Sequence, residues 1–379
     1  MNRATEVSID RFTADPARSA ALPSYLYCDP AVFEEEKRRV FYKSWQIVAH
    51  ESELPNPGDY ACATIVDQSV FVLRGEDGAV RAFFNVCQHR AHELLKGRGN
   101  VKSVIVCPYH AWAYELDGSL RSARATRTLP DFDPTEYGLA PVRMERHFGF
   151  LFVTLDPEAP SLGALAGGMF ADMARALPWA DALAFNPAYS FTAETGTPLE
   201  ANWKVMAENC LECYHCGPAH KAYVDMIDVG HYELTRHGAW MKSVAPLRRG
   251  DSSAYRVGAD EPVQYNAFWH LFPNLEFGVM PGSRALSAFY FTPLNAEQTR
   301  ISWLVLTMPG ETLAQDRLDY LGKVLWPEDK AICESVHRGL KSLGYRRGRF
   351  VASEGHASIS EINVHTFQRQ YAAAMGLSL

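Results

Sequence analysis

No stretch of this 379-residue chain stays apolar for the ~18 residues that a membrane-crossing helix would need. The first ten residues, Met1 to Asp10, lack the apolar core of a secretion signal, so the chain is expected in the cytoplasm. Basic residues are in deficit. The 37 Lys and Arg stand against 44 Asp and Glu, and a net charge of −7 excludes a nucleic-acid footprint. No Gly-x-Gly-x-x-Gly follows a strand pattern, and Gly97-Arg-Gly99 lacks the rest of that fingerprint, which excludes hydride transfer from a nicotinamide bound here. Cysteine is sparse, at eight residues, which argues against a disulfide framework; the thiols not claimed by a metal are expected to be reduced. Neither an internal repeat nor a low-complexity tail is present. What remains is an ordinary globular composition, 47% hydrophobic and 21% charged, long enough for two or three cores.

The chemistry-bearing residues fall in two stretches. In the first, Cys87-x-His89 is followed by a spacer of 17 residues and then by Cys107-x-x-His110. Two Cys and two His paired in this way are metal ligands. A structural zinc ion would accept them tetrahedrally. A Rieske [2Fe–2S] cluster needs the same set, with thiolates on one iron and imidazoles on the other. The arrangement favours the cluster. Zinc fingers usually place Cys with Cys and His with His, whereas each arm here holds one of each and supplies a ligand to each iron. Trp112 and Tyr114 close the second arm and are placed to roof it.

The second stretch, Glu208 to His220, ends a predicted helix that opens at Pro198 and sets Leu199, Trp203, Met206, Cys210 and Cys213 on its apolar side. His215 and His220 are five residues apart, which an unbroken helix would separate by about 140°. Gly217-Pro218 is expected to break the helix and let His220 swing back beside His215. Two imidazoles and a carboxylate make the facial triad of a non-haem Fe(II) site, with positions open for O2 and substrate. Asp329 is the expected carboxylate. Helical spacing sets it on an apolar face with Ile332, Cys333, Val336 and Leu340, where a buried acid requires a cation. Glu328 and Glu334 lie off that stripe and are read as solvated. Taken alone, a histidine is more often a hydrogen-bonded core residue, and an acid in a first helical turn also answers to the helix dipole. The upstream metal motif is what favours ligation. Cys210, Cys213 and Cys216 echo a ferredoxin run but lack its fourth Cys and following Pro, so they are read as packing thiols.

Around these stretches the pattern is α+β. A helix is predicted over 31–45, from Val32, Phe33, Val40, Phe41 and Trp45. Short strands follow at 63–66, 70–74, 80–86, 101–106, 112–116 and 148–155, with turns at Gly75-Glu-Asp-Gly78 and Asp117-Gly118. Beyond a boundary at Asp156–Pro160 come a strand at 190–195 and an antiparallel sheet at 268–272, 275–279, 285–291 and 300–308. Helices are predicted at about 311–325, 328–343 and 358–375. Three segments result: 1–44, packing on the last; 45–156, an all-β metal-binding domain; and 157–379.

Both constellations, in this order, resemble the oxygenase (alpha) component of the Rieske non-haem iron oxygenases, over nearly the whole chain. The resemblance implies an N-terminal Rieske [2Fe–2S] domain held by Cys87, His89, Cys107 and His110. It implies a C-terminal helix-grip catalytic domain, an antiparallel sheet with helices, whose mononuclear iron is held by His215, His220 and Asp329. It also implies a homotrimer in which Glu212 bridges His215 to His110 of a neighbouring subunit, and a separate NAD(P)H-dependent flavin and iron–sulfur reductase. Glu rather than Asp at 212, within Asn-x-x-Glu-Cys-Tyr-His-Cys-x-x-x-His, is similar to the branch acting on quaternary ammonium compounds such as carnitine, choline and the betaines. The implied reaction is hydroxylation leading to demethylation or C–N cleavage. His337 departs from that branch, where Gln is expected. A trimethylammonium head would be held by cation–π contacts, from among Trp203, Tyr214, Tyr223, Phe268, Trp269, Phe277, Phe289, Tyr290 and Trp303. The competing readings are the same machinery acting on an aromatic compound, a pure electron-transfer Rieske protein, and a zinc-stabilised binding module.

Overall fold

The structure is a computed structural model that describes residues 9–191, 196–250, 252–352 and 355–378. The chain divides into two compact units, one of residues 41–164 and one joining residues 1–40 to 165–379. The predicted divisions lie at 44/45 and 156/157.

The first unit is all β. Strands β1 (Gln46–His50), β2 (Asp59–Ile65), β3 (Gln68–Arg74), β4 (Val80–Phe84), β5 (Arg98–Asn100), β6 (Ile105–Val106), β7 (Ala113–Tyr114), β8 (Leu120–Ser122), β9 (Arg143–His147) and β10 (Phe150–Thr154) form three antiparallel sheets. Their orders are β1-β10-β9, β4-β3-β2-β5 and β6-β7-β8. The Gly75–Gly78 turn joins β3 to β4, as the alternating Val and Phe on either side require. At the β7–β8 turn Gly118 has φ +90° and sits on the ring of Phe83, where a Cβ would collide. The strands beside the metal arms are shorter than predicted, because the arms draw their residues into turns. Cys87 and Cys107 lie in one buried cluster with Phe71, Leu73, Ile105 and Tyr114.

The second unit opens with α1 (Tyr25–Cys28) and α2 (Pro30–Glu36), after which the chain turns π-helical over Lys37–Phe41. It resumes in α3 (Leu162–Ala176). Eight antiparallel strands follow: β11 (Ala184–Phe185), β12 (Thr197–Leu199), β13 (Glu233–His237), β14 (Trp240–Pro246), β15 (Tyr265–Leu271), β16 (Leu275–Val279), β17 (Ala285–Pro293) and β18 (Thr299–Thr307). Their order is β11-β18-β17-β16-β15-β14-β13, with β12 beside β18. The β13–β14 hairpin was not predicted, since β13 is a largely exposed edge strand of sequence Glu-Leu-Thr-Arg-His. Of the strand predicted over 190–195, residues 192–195 lie outside the described residues, and Phe191 bridges to Trp303.

Pro198 lies in β12 and opens no helix. Helix α4 (Trp203–Cys210) begins later, where the Asn202 side chain accepts the Lys204 N–H at 3.0 Å. Short helices α5 (Cys216–Ala219) and α6 (Lys221–Met226) follow, then α7 (Gln315–Tyr320), α8 (Trp326–Leu340) and α9 (Ile362–Met375). The helices predicted at 311–325 and 328–343 are one run. A π turn over Leu321–Leu325 carries α7 into α8, with the Trp326 N–H bonded to the Leu321 carbonyl. The next residue is Pro327, which has no N–H and whose ring would crowd the carbonyl four residues back. The wider turn gives that ring room.

Side chains alternate between the two faces of the sheet. Trp269, Phe277, Ala288 and Leu304 are register partners on one face and all fully buried. Helix α3 covers them, with Phe170 against Phe277 and the Asp172 carboxylate accepting from Trp269 Nε1 and Lys242 Nζ, each at 2.7 Å. A core ring of this kind contributes roughly 1.5–3 kcal/mol. In the layer of α4, the fully buried Lys204 pairs with Glu36 of α2 at 2.5 Å. Trp203 Nε1 and the Tyr371 hydroxyl donate to the same carboxylate at 2.9 and 2.7 Å, tying α2 to α4 and α9. The opposite face of the sheet looks toward the site.

Candidate active site

After α4 the chain turns through residues 211–215. Cys213 and Cys216 form a disulfide, with Cα atoms 4.9 Å apart, which corrects the reading of both as reduced packing thiols. The helix that would have set Cys213 on an apolar stripe has ended three residues earlier. His215 precedes the single turn of α5, and His220 follows it at φ −111°, ψ 70°, outside helical conformation. The break is therefore at His220 itself. Gly217 and Pro218 lie within the turn, where Pro218's missing N–H falls among first-turn donors that have no intrahelical partner anyway. The two imidazoles stand 5.0 Å apart between centroids, with planes at 81°.

Helix α8 brings Asp329 to them. Its Oδ1 lies 3.0 Å from His220 Nε2 and 3.6 Å from His215 Nε2, and one ligand atom from each residue lies within 4.8 Å of the others. The face carrying Asp329 continues through the buried Cys333 and His337 at steps of four, while the predicted Val336 is 46% exposed. His337 Nδ1 accepts the Asn202 N–H at 3.4 Å, so the departure at this position packs on the α4 cap.

Both imidazoles are gripped from behind. Glu212 Oε1 is 2.5 Å from His215 Nδ1, and its Oε2 accepts the N–H of Tyr214 and, at 3.2 Å, of His215. Glu328 Oε2 is 2.8 Å from His220 Nδ1. Glu328 is thus a contact of the site, contrary to its reading as solvated. Glu334 instead pairs with Lys330 and accepts the Glu200 N–H. With each Nδ1–H donated to a carboxylate, each Nε2 keeps its lone pair for a metal. Burial disfavours a charged His215, yet Asp329 and Glu212 outweigh it and lift its pKa to about 9. Burial likewise opposes protonation of His220, and Asp329 and Glu328 raise it. Three carboxylates around two imidazoles are short of positive charge, a deficit that a divalent ion fills.

The triad opens on a cavity of about 370 Å³, near the small end of the usual range for ligand sites. Phe268, Glu276, Phe289 and Trp303 line its sheet side, and Arg317, Leu321, Leu325 and Trp326 its helix side. Phe289 stacks on Trp303 at 4.9 Å. Gly278 leaves space for Phe268, whose ring lies 2.6 Å from where a Cβ would sit. Of the nine aromatic candidates, Tyr223, Phe268, Phe289 and Trp303 line the cavity; Trp269 and Phe277 belong to the opposite face of the sheet. Glu276 is buried, and burial followed by the charge of Asp329 pushes its pKa up to about 8. His270 lies 3.9 Å away, but burial holds it near pKa 3 and neutral, so the two form no ion pair. Glu276, Arg317 and Glu328 were missed. The strand Leu-Glu-Phe-Gly-Val, with a charge and a glycine on one face, was the available signal for Glu276.

In the all-β unit the two metal arms repeat one turn. The Cys87 N–H donates to the His92 carbonyl at 2.9 Å, and the Ala91 N–H returns to the Cys87 carbonyl at 3.0 Å. Cys107, Trp112 and Ala111 make the same two bonds at 2.8 and 3.0 Å. Ala91 and Ala111 both sit at positive φ, +54° and +59°, a strain that non-glycine residues hold where the surroundings enforce it. Both thiols are buried. The Tyr114 oxygen accepts the Gln88 N–H at 3.0 Å and lies 3.2 Å from Cys87 Sγ, leaving its O–H for the sulfur. His89 stacks on Trp112 at 4.9 Å, and its ring lies 4.6 Å from that of His110. His110 Nδ1 is buried with no hydrogen-bond partner. An orphaned imidazole nitrogen beside two buried thiols suits a cluster ligand set.

Arms of this kind in a β unit, with a His–His–Asp triad under a helix-flanked sheet, define a two-centre iron oxygenase. Residues 44–133 match the Rieske [2Fe–2S] domain, and residues 183–377 match the ring hydroxylating alpha subunit (catalytic domain). The carnitine monooxygenase oxygenase subunit of Escherichia coli is 39% identical over 362 residues, 94% of each chain. The chloroplastic choline monooxygenase of Beta vulgaris is 32% identical, over 89% of this chain and 74% of its own. The solved structure of the quaternary ammonium Rieske monooxygenase CntA with L-carnitine has a TM-score of 0.84 at 34% identity, covering 97% of this chain and 99% of its own. Naphthalene 1,2-dioxygenase from Rhodococcus, at 21% identity and a TM-score of 0.78, shares the fold. The chain belongs to the Rieske non-haem iron oxygenases, as an oxygenase (alpha) component with a Rieske [2Fe–2S] domain and a mononuclear-iron catalytic domain. Among the described residues no helix is long and apolar enough to cross a membrane.

Proposed function

We propose that this chain is the oxygenase component of a monooxygenase acting on a quaternary ammonium compound. The observation that carries the reading is an apolar cavity, lined by aromatic rings and the buried acid Glu276, opening directly on His215, His220 and Asp329. One atom of O2 enters a C–H bond next to nitrogen; two electrons and two protons take the other to water. The resulting carbinol loses its hydroxyl proton as its C–N bond breaks, the bonding pair leaving with nitrogen, to give a tertiary amine and a carbonyl compound.

Cys87, His89, Cys107 and His110 are assigned to the cluster, and His215, His220 and Asp329 to Fe(II). When bound, these centres supply a stored electron and O2 activation. The protein's own groups do the rest. Glu212 and Glu328 fix the tautomers of the two histidines, and the rings of Phe268, Phe289 and Trp303 shed water and offer π-faces to a trimethylammonium head. Glu212 spends Oε1 on His215 and Oε2 on two backbone N–H groups, so Oε1 is the oxygen that retains a lone pair. In the proposed cytoplasmic homotrimer it also reaches His110 of a neighbouring subunit. Residues 45–156 act as the electron-storing domain and 157–379 as the catalytic one, with 1–44 packed on it. A separate NAD(P)H-dependent flavin and iron–sulfur reductase delivers the electrons.

Single turnover tests the reading. Anaerobically reduced protein is mixed with O2 and carnitine, γ-butyrobetaine, glycine betaine, choline, stachydrine or aromatic acids, and products are read by mass spectrometry. A tertiary amine formed in step with cluster oxidation supports it; products from the aromatic acids alone overturn the substrate class.

A further inference from the structure

The cavity holds a charge that no carboxylate touches among the described residues. Arg317, on α7, is 4% exposed and lines the cavity. Its Nη1 donates to Ser283 Oγ at 2.8 Å, its Nε–H is buried without an acceptor, and among the described residues no carboxylate pairs with it. A guanidinium stays charged at any working pH. Glu261 and Glu311 act on it only through space, without contact, and a buried charge with no contacting counter-ion is unfavourable, so an anion would complete the site.

The helix aims this residue. Arg317, Leu321, Leu325 and Asp329 follow at steps of four, and all four line the cavity. In a regular α-helix each such step drifts by about 40°, and three steps would carry Arg317 well off the face of Asp329. The π turn over Leu321–Leu325 takes more residues per revolution and removes part of that drift. The two side chains therefore look into one cavity from points about three turns apart along the run.

Glu276 occupies the metal end. Asp329 is the charge that acts on it, whereas Tyr255, Glu261 and Glu311 are those that act on Arg317. Glu276 Oε2 has no hydrogen-bond partner, and Glu276 and Arg317 do not pair with each other. A buried carboxyl that an incoming cation would help to ionise and a buried guanidinium, both lining one apolar cavity, match a zwitterion.

We propose that Arg317 is the carboxylate anchor of this cavity, and that the substrate is a quaternary ammonium carboxylate whose cationic head lies among Glu276, Phe268, Phe289 and Trp303. The assignment rests on the proposed function and narrows it. An amino alcohol such as choline offers Arg317 a hydroxyl oxygen but no counter-charge. The head beside the triad presents its N-bound carbons to oxidation, and the carboxylate points away from them.

The test compares metal-loaded wild type with Arg317→Met and Arg317→Lys. Calorimetry measures binding of γ-butyrobetaine, its methyl ester, choline, and the uncharged-head analogue in which a tert-butyl group replaces trimethylammonium. Arg317→Met should weaken both carboxylates by about 10- to 150-fold, the loss of a charge-assisted hydrogen bond, and collapse the preference for γ-butyrobetaine over choline. Arg317→Lys should restore part of that preference. Equal weakening of choline and the carboxylates, or no change in preference, overturns the assignment. Should neither variant fold, wild type decides alone: the ester must bind far more weakly than the free acid, and equal binding sinks the proposal. The tert-butyl carboxylate separates the two readings. Arg317-dependent binding of it by a protein that oxidises no quaternary amine would keep the anchor and discard the proposed function.

Discussion

At the scale of single residues, the carboxylates behind the histidines decide how well the site holds a metal. Removing the Glu328 oxygen, 2.8 Å from His220 Nδ1, frees the ring to rotate and to change tautomer. Glu328→Ala is expected to lower Fe(II) affinity by about 10- to 100-fold with the far-ultraviolet circular dichroism unchanged; metal titration followed by iron analysis checks it. Glu212 has the same grip on His215 and a second proposed task. Glu212→Gln should therefore keep both centres occupied while uncoupling cluster oxidation from product formation, seen by stopped-flow absorbance in single turnover. Normal coupled rates would remove the intersubunit bridge. The ligand types and their spacing were legible here because metal chemistry restricts side chains severely. Glu328 was not, since its partner lies 108 residues away and one helical turn looks polar whether its acids meet water or an imidazole. The Cys213–Cys216 bond was hidden because spacing alone does not tell a bonded pair of cysteines from two packing thiols.

At the scale of elements, long strands of alternating pattern were read nearly to the residue: β16 was predicted at 275–279 and observed there. Elements whose ends are set by tertiary partners were not. Thr197–Leu199 pairs with β18, so the helix waits for Asn202, the first side chain that can satisfy a free N–H. Asn202→Ala should cost about 1 kcal/mol, read as a shift in the denaturant midpoint, and should loosen the packing of His337. The merger of α7 and α8 follows the same logic, since Pro327 signals a helix start in sequence and is tolerated mid-run only where a π turn precedes it.

At the scale of the whole molecule, the order of an all-β metal unit before an α+β catalytic unit was visible, because hydrophobic periodicity switches from two to 3.6 along the chain. The return of the N-terminal residues to the catalytic unit showed only as an amphipathic helix, and the structure gives its cause in the Glu36–Lys204 pair. Acid sensitivity is expected from the buried neutral histidines of both units, His270 in the sheet and His50 in the unit of residues 41–164. There burial holds His50 down to about pKa 4, with Ser52 on Nδ1 and the Phe148 carbonyl on Nε2. The unfolded chain takes up that proton near pH 6.5 and the folded one refuses it. Stability is therefore full above pH 6.5 and falls as pH drops toward 4, by about 3 kcal/mol in all. Thermal unfolding of wild type and His50→Asn across that range should show the variant losing this component. Identical slopes would show that His50 takes up its proton alike in both states.

The Lys204 pocket bears on substrate binding from an unexpected side. Its ammonium lies 5.1 Å from the ring of Tyr27, 5.1 Å from Trp203 and 4.8 Å from Tyr371, with a carboxylate completing the shell. The chain thus keeps, permanently filled and covalently tethered, a small-scale replica of the receptor it is proposed to offer its ligand. Burial disfavours the Lys204 ammonium and Glu36 opposes that effect, so rings and one acid are what this interior sets around a dehydrated cation. A guest with the same head meets chemistry that the host already applies to itself.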